Sequence, residues 1–289
     1  MKLHDGELDI TEGLVRRLLA EQFPHWADRP LWELPASGTE NVMFRLGDDL
    51  VVRMPRMPGA AEVIRKEHRW LPWLAPRLPL RIPSPVGLGE PGEGFALAWS
   101  VYRWLDGTHD IPDLPDMAEQ LGGFVAALQR APIPSGAPKA YRGGSFASSD
   151  GYVRTAARDL DVPDALRIWD AALHLPVPPE RPVWLHSDLL PPNLLTSNGR
   201  LSAVIDFGCA GIGDPASDLM PAWTVFDAAT RPVFRARLDP DDLTWERGRA
   251  WALVFGLGAW HYYRVSDPAF AALGRQTVNR VLTDARSST

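Results

Sequence analysis

The stretch from residue 183 to residue 208 constrains the fold of this chain more than any other part of the sequence. Short apolar runs alternate there with polar turns, and the carboxylates Asp188 and Asp206 each follow an apolar run. Asn198-Gly199 is the dipeptide typical of a tight turn between antiparallel strands. The residues on both sides, 194–195 and 201–205, are therefore predicted to pair as a hairpin that folds Asn193 back beside Asp206.

Three residues of this stretch carry oxygen atoms suited to one kind of chemistry. Mg²⁺ prefers a few hard oxygen ligands and takes the rest of its shell from water and substrate phosphates, which Asn193 and Asp206 would satisfy. Asp188 then remains to orient an attacking hydroxyl and accept its proton. Phosphoryl transfer needs little else from a protein besides charge neutralisation and in-line positioning.

The residues ahead of this stretch predict a sheet followed by helices. Leu14, Leu18 and Phe23 have helical spacing after a possible cap at Thr11, and residues 42–46 and 50–54 read as a β-hairpin. Residues 60–74 predict a helix that crosses behind this hairpin. Residues 95–105 are β-branched and aromatic, which indicates one or two buried strands.

The pattern changes at Asp106-Gly107-Thr108, where the lobe boundary is predicted. Residues 1–105 would form one domain, and residues 106–289 a second, mainly helical one. Helical spacing recurs over 117–128, 166–173, 243–264 and 267–284, the last with Asp267 as cap and Pro268 at its first position. The predicted fold class is therefore α+β, with the strands concentrated in the first lobe.

Composition and charge exclude several classes of protein. The chain has 289 residues and a net charge of −6, which argues against nucleic acid as a partner. The single cysteine, Cys209, excludes an intrachain disulfide and a cysteine-based zinc site. There is no run of about 18 apolar residues, and the first residues are acidic where a signal peptide is basic, so no membrane association and a cytoplasmic location are expected.

The charge is unequally distributed. The first 105 residues carry 13 basic and 14 acidic side chains, and the remainder carry 17 and 22. An acidic solvated surface explains this difference, and a pocket for a cationic substrate is the sharper alternative.

The residues His186-Ser187-Asp188-Leu189-Leu190-Pro191-Pro192-Asn193, followed by Ile205-Asp206-Phe207-Gly208, resemble the catalytic and metal-binding segments of the protein-kinase-like fold. With the downstream segment 213–219, they are most similar to the aminoglycoside phosphotransferase family of small-molecule kinases. The resemblance extends over residues 35–107 and most of 117–284. It implies a bilobal fold, with a small lobe built on an antiparallel sheet for nucleotide and a larger helical lobe for catalysis and the acceptor.

The resemblance also implies roles for individual residues. Asp188 would be the catalytic base, and Asn193 and Asp206 would bind one or two Mg²⁺ ions. The expected nucleotide contacts are the covering loop with Gly38, Thr39 and Asn41, the phosphate-binding Arg53 with its helix partner Glu67, and the hinge Arg103 to Leu105, whose backbone would meet the base of ATP or GTP. Tyr102 precedes that hinge.

Two positions depart from the family pattern. Ser187 stands where relatives have glycine, at a turn that needs positive φ, and Arg53 stands where kinases use lysine. The expected activity is phosphorylation of a hydroxyl on an aminoglycoside or a similar cationic antibiotic. The alternatives are a kinase of another small acceptor (a cyclic peptide antibiotic, choline, an amino alcohol or a sugar) and a nucleotide-binding pseudokinase.

Other conspicuous residues receive structural interpretations. Asp214 and Asp218 are predicted to cap or fix loops, and His186 to hold the catalytic loop through packing and hydrogen bonds. Residues 87–92 match the dinucleotide-binding pattern of spaced glycines. They precede an expected strand and contain Pro91, so they are interpreted as a loop.

Overall fold

The chain forms two compact units. A computed structural model describes residues 10–35, 41–110, 114–176 and 182–287. The first unit ends at Gly107 and also includes Ala203–Gly208, and the second comprises Thr108–Ser202 and the residues from Cys209 onward.

Strands dominate the first unit and helices the second. The strands are β1 (Leu31–Glu33), β2 (Asn41–Leu46), β3 (Leu50–Pro55), β4 (Pro85–Gly89), β5 (Trp99–Arg103), β6 (Val183–Leu185), β7 (Leu194–Ser197), β8 (Arg200–Val204) and β9 (Gly211–Gly213). The helices are α1 (Glu12–Gln22), α2 (Pro58–Leu74), α3 (Leu114–Arg130), α4 (Asp150–Asp159), α5 (Pro163–Leu173), α6 (Pro221–Thr224), α7 (Arg231–Leu238), α8 (Asp242–Tyr263) and α9 (Pro268–Ser287). The predicted α+β class is confirmed.

The first unit is an antiparallel sheet with two helices. Its strands lie in the order β1-β2-β3-β5-β4, and the β2–β3 hairpin pairs Val42 with Met54 through to Leu46 with Leu50, as predicted. Helix α1 begins where the sequence indicated, because the Thr11 hydroxyl accepts the N–H of Leu14 at 3.3 Å. Helix α2 contacts β3, β4 and β5.

Strand β4 corrects the first half of the interpretation of residues 87–92 as a loop, since residues 87–89 are in the strand and residues 90–92 follow it. Pro85 to Gly89 pair with β5, with Leu88 opposite Ser100. Glycine is required at position 89 because a Cβ there would lie 2.0 Å from the ring of Trp99, which is fully buried. Gly89 thus serves packing in the sheet. The segment expected to hold one or two strands, 95–105, supplies the single strand β5.

The second unit is built on helices, with short strands on both sides of the segment that contains Asp188. Helices α8 and α9 pack along each other, and α3 contacts α7 and β6. Strand β6 pairs with β9, placing Leu185 opposite Gly211. The predicted cap of α9 is present, since Asp267 accepts the N–H of Phe270 at 3.0 Å. No helix in the described ranges is long and apolar enough to span a bilayer.

The predicted turn after β7 is also observed. Asn198 and Gly199 have φ values of 52° and 75°, the left-handed pair that a tight hairpin turn needs. Strands β7 and β8 form a two-stranded sheet.

Candidate active site

The segment with the predicted catalytic residue Asp188 begins where β6 ends. His186 and Ser187 are completely buried, and Asp188 follows with its side chain 20% exposed. The chain then makes a short turn over Pro191–Asn193 and enters β7. A buried strand thus delivers a carboxylate to the surface of the second unit.

Asp218 fixes the backbone of this segment. Its carboxylate accepts the N–H of His186 and the N–H of Ser187, both at 2.7 Å. Burial raises the pKa of Asp218 to about 7, against the opposing effect of these two N–H donors. The structural role expected for Asp218 is therefore observed.

His186 also acts on the loop, as expected. Its Nδ1 accepts the N–H of Asp188 at 3.2 Å, which assigns the ring proton to Nε2. Asp214, the other acidic residue of the downstream segment, accepts the N–H of Ala216 and pairs with Arg247 at 2.8 Å.

Both oxygens of Asp188 have partners in the second unit. Arg142 donates from Nη1 to Oδ1 at 2.6 Å, and the side-chain amide of Asn193 donates to Oδ2 at 3.3 Å and to the Asp188 carbonyl at 2.9 Å. Because the amide nitrogen of Asn193 is engaged in this way, its oxygen remains for another ligand.

The sequence reasoning missed Arg142. It lies in a loop 46 residues before Asp188 and belongs to no recognisable pattern, so nothing in the sequence marks it. Its proximity to Asp188 is a product of the tertiary fold.

Ser187 has the left-handed backbone that its position demands. Its φ is 69°, a region that costs a residue with a Cβ about 1–2 kcal/mol. Its hydroxyl accepts the N–H of Arg142 at 2.6 Å. A glycine could adopt the same φ without strain, but it could not make this bond.

In the first unit, Arg53 stands where the kinase pattern has lysine, and it forms an ion pair with Glu67. Arg53 on β3 donates from Nη1 to both carboxylate oxygens of Glu67 at 3.0 Å, and the Tyr102 hydroxyl donates to Glu67 at 2.5 Å. Burial opposes the charge on Arg53, but Glu67, with Tyr102 and Asp206, raises the pKa of Arg53 above its ordinary value. Arg53 on β3 therefore forms the ion pair with Glu67 on α2 that was expected at this position. No described residue accepts a hydrogen bond from the Nε or Nη2 of Arg53.

Asp206 lies in the part of the first unit that follows β8. It has a φ of 63° and an exposed carboxylate. The described residues give this carboxylate one hydrogen bond, from the N–H of Gly208 at 3.4 Å. Lys66 on α2 donates to the Gly208 carbonyl at 2.5 Å, which ties the segment to the helix.

The expected hinge is partly occupied by contacts within the first unit. The backbone N–H of Arg103 donates to the carbonyl of Ser84 at 2.9 Å, and the backbone N–H of Trp104 donates to the carbonyl of Asp49 at 2.8 Å. No described residue accepts the backbone N–H of Leu105. Of the three hinge residues, Leu105 is therefore the one whose N–H can donate to a ligand.

The covering loop falls largely outside the described residues, which include neither Gly38 nor Thr39. Asn41, expected in that loop, is instead the first residue of β2 and is buried. Its buried Oδ1 has no hydrogen-bond partner within the described ranges. The same ranges contain no group of three or more His, Cys, Asp or Glu side chains able to hold a metal ion by themselves.

Solved structures share this fold. The GDP complex of wild-type aminoglycoside 2'-phosphotransferase-IIIa is 22% identical with a TM-score of 0.75, covering 96% of this chain and 100% of that one. The GDP and kanamycin complex of APH(2")-IIia is 21% identical with a TM-score of 0.73, covering 93% and 98%. Macrolide 2'-phosphotransferase MphH from Brachybacterium faecium is 22% identical with a TM-score of 0.61, covering 92% and 97%.

No curated protein sequence matches the chain. A family model, described as the phosphotransferase enzyme family APH, matches residues 32–251, which include the Arg53–Glu67 pair and the whole segment from β6 to β9. The resemblance inferred from the sequence is therefore confirmed, and the chain is an enzyme of the APH phosphotransferase family.

Proposed function

We propose that this enzyme transfers the terminal phosphoryl group of ATP or GTP to a hydroxyl of a small molecule, with Asp188 as the catalytic base and Mg²⁺ as the cofactor. The observation that carries the proposal is the Asp188 carboxylate, presented at the end of a buried strand on a loop whose backbone Asp218 fixes through two 2.7 Å hydrogen bonds. Rigid presentation is what phosphoryl transfer asks of its base.

The step at Asp188 is a proton transfer. As the acceptor oxygen bonds to phosphorus, the bond from phosphorus to the bridging oxygen of the nucleotide breaks, and the hydroxyl proton moves to the Asp188 carboxylate. The products are a phosphate monoester and a nucleoside diphosphate. A carboxylate in this role contributes on the order of 10²–10⁴-fold to the rate.

The first unit supplies the groups expected for the nucleotide. Arg53 keeps two nitrogens without a described partner while Glu67 holds its third, so the fork can donate to phosphate oxygens. The N–H of Leu105 is our proposed donor to the base, in place of the Arg103 N–H, which Ser84 already accepts. Gly38 and Thr39 remain proposals from the sequence pattern.

The donor chemistry of Asn193 and Asp206 fits Mg²⁺. The described residues leave the side-chain oxygen of Asn193 and at least one carboxylate oxygen of Asp206 without a hydrogen bond, and Mg²⁺ commonly takes one or two protein oxygens and completes its shell with water and phosphates. The ion would neutralise charge on the transferring phosphoryl group. Asn193 additionally orients Asp188 through its amide nitrogen.

We propose an aminoglycoside or a similar antibiotic as the first acceptor to test. Structures of the same fold carry kanamycin, gentamicin and streptomycin in their complexes. The acidity of residues 106–289 supports a cationic acceptor less than the sequence implied, because many of these carboxylates form ion pairs with arginines of the same unit. The pairs include Asp150 and Asp170 with Arg154, Asp164 with Arg167, Asp214 with Arg247 and Asp284 with Arg231. Other hydroxyl acceptors, including macrolides, therefore belong in the same experiment.

The two departures from the family pattern fit an active enzyme better than a pseudokinase. Arg53 keeps its bond to Glu67, and Ser187 adopts the required φ and gains a hydrogen bond to Arg142. Neither substitution removes a group that the proposed chemistry uses.

The experiment measures nucleoside-diphosphate release from MgATP and MgGTP across aminoglycosides, macrolides, cyclic peptide antibiotics, choline, amino alcohols and sugars. We expect acceptor-dependent release that falls by on the order of 10²–10⁴-fold in Asp188→Asn, while nucleotide binding is kept. Acceptor-dependent release that is unchanged in Asp188→Asn would exclude Asp188 as the base. Nucleotide binding without release for any acceptor would favour the pseudokinase.

A further inference from the structure

Asp188 is held by a small cluster that the sequence pattern does not contain. Arg142 uses one nitrogen, Nη1, to donate to the Oδ1 of Asp188 at 2.6 Å and to the carbonyl of Ser187 at 2.7 Å. The Arg142 and Asp188 side chains are only 17% and 20% exposed, so solvent screens this ion pair less than it screens a surface pair.

The cluster leaves the two carboxylate oxygens unequal. Oδ1 receives the short, charge-assisted bond from Arg142, while Oδ2 receives a longer bond of 3.3 Å from Asn193. Since the shorter bond is the stronger one, Oδ1 is the anchored oxygen. Oδ2 is the less firmly held of the two oxygens.

The orientation of Arg142 is itself fixed. The Ser187 hydroxyl accepts the N–H of Arg142 at 2.6 Å, and the guanidinium lies 5.2 Å from the ring of Tyr141 and 5.9 Å from that of Phe255. A left-handed serine at position 187 is strained, and its hydroxyl bond anchors the backbone of the residue that holds the neighbouring carboxylate.

We propose that Arg142 is a positioning residue for Asp188, and that the Ser187 hydroxyl sets the position of Arg142. The inference rests on the proposed role of Asp188 as base. Arg142 anchors Oδ1 so that Oδ2 faces the acceptor hydroxyl. Serine at position 187 is more strained than glycine would be, but its hydroxyl forms a hydrogen bond that glycine cannot form and that positions Arg142 for catalysis.

The sharpest test is Ser187→Gly, because it removes the hydroxyl that accepts the backbone N–H of Arg142 and leaves the left-handed backbone without strain. The two effects on stability oppose each other, since relief of the strain stabilises the fold and loss of the hydrogen bond destabilises it, so Tm should change by only a few degrees. Loss of the hydroxyl should lower kcat several-fold. A purely structural role for Ser187 predicts that kcat is kept, and this result would overturn the proposal.

Arg142→Ala should lower kcat on the order of 10²-fold, the cost of misplacing a reacting group by about 1 Å, with KM for nucleotide unchanged. Arg142→Lys should recover part of kcat. Arg167→Ala removes an exposed arginine paired with Asp164 in the same unit and serves as the matched control, with kcat unchanged. Equal kcat in Arg142→Ala and Arg167→Ala would contradict the proposal.

Two further measurements separate this inference from the proposed function. If Asp188→Asn abolishes transfer and Arg142→Ala does not affect it, Asp188 is the base and the positioning role is wrong; full activity in Asp188→Asn rejects the base itself. A crystal structure of Arg142→Ala needs no acceptor, and it should contain Asp188 in a changed or mixed rotamer. An unchanged single rotamer would contradict the role of Arg142.

Discussion

At the scale of single residues, Asp218 and Ser187 explain how a short loop presents a carboxylate. Asp218 is fully buried and binds two consecutive N–H groups, and Ser187 supplies the left-handed turn between them and Asp188. The sequence predicted that Asp218 caps a helix or fixes a loop. It could not predict the partners, because they lie 31 and 32 residues away in the chain.

The raised pKa of Asp218, about 7, makes stability depend on pH in a defined direction. Between about pH 4 and pH 7 the folded state keeps a proton that the unfolded state has lost, so the contribution of Asp218 to stability falls as pH rises. The difference between the ordinary pKa and a pKa of about 7 corresponds to a loss of about 4 kcal/mol in the free energy of unfolding over this pH range. The free energy of unfolding in urea, measured from pH 4 to 7.5, should therefore fall more steeply in the wild type than in Asp218→Asn.

Asp241→Asn provides the control for this comparison. The N–H of Thr244 lowers the pKa of Asp241, so its contribution changes below about pH 4, and this variant should parallel the wild type above that pH. Parallel pH profiles for Asp218→Asn and the wild type would show that Asp218 does not titrate as described.

At the scale of secondary structure, the elements with local signals were predictable. Thr11 and Asp267 cap helices α1 and α9, and Asn198-Gly199 closes the β7–β8 hairpin, each through contacts with near neighbours in sequence. Strand β4 had no such signal, because its proline and glycines are typical of turns. It is a strand because β5 pairs with it and Trp99 packs against Gly89, which is a tertiary effect.

Gly89→Ala tests this explanation of β4. The new methyl group would overlap the buried ring of Trp99, so we expect a loss of about 1–3 kcal/mol or more in the free energy of unfolding, measured by urea denaturation. Gly59→Ala in α2 is the matched control, since an added Cβ would meet no described atom within 4 Å outside its chain neighbours and its own helix backbone, and it should be neutral or slightly stabilising. Equal effects of the two substitutions would contradict the packing argument.

At the scale of the whole molecule, the two units contain different parts of the proposed chemistry. The first contains Arg53, Glu67 and Asp206, and the second contains Asp188 and Asn193. The ordered motifs sufficed to predict the family and the fold class. They did not predict that Ala203–Gly208 belongs to the first unit, because hydrophobic periodicity carries no information about which sheet or helix a segment packs against.

The central claim is that Asp188 accepts the proton of an acceptor hydroxyl during phosphoryl transfer. The most direct measurement follows the labelled terminal phosphoryl group of ATP or GTP into the acceptor that the release experiment identifies, in the wild type and in Asp188→Asn. Our account predicts a labelled phosphate monoester in the wild type and a rate lower by on the order of 10²–10⁴-fold in the variant. Equal rates of ester formation in the two proteins would contradict it.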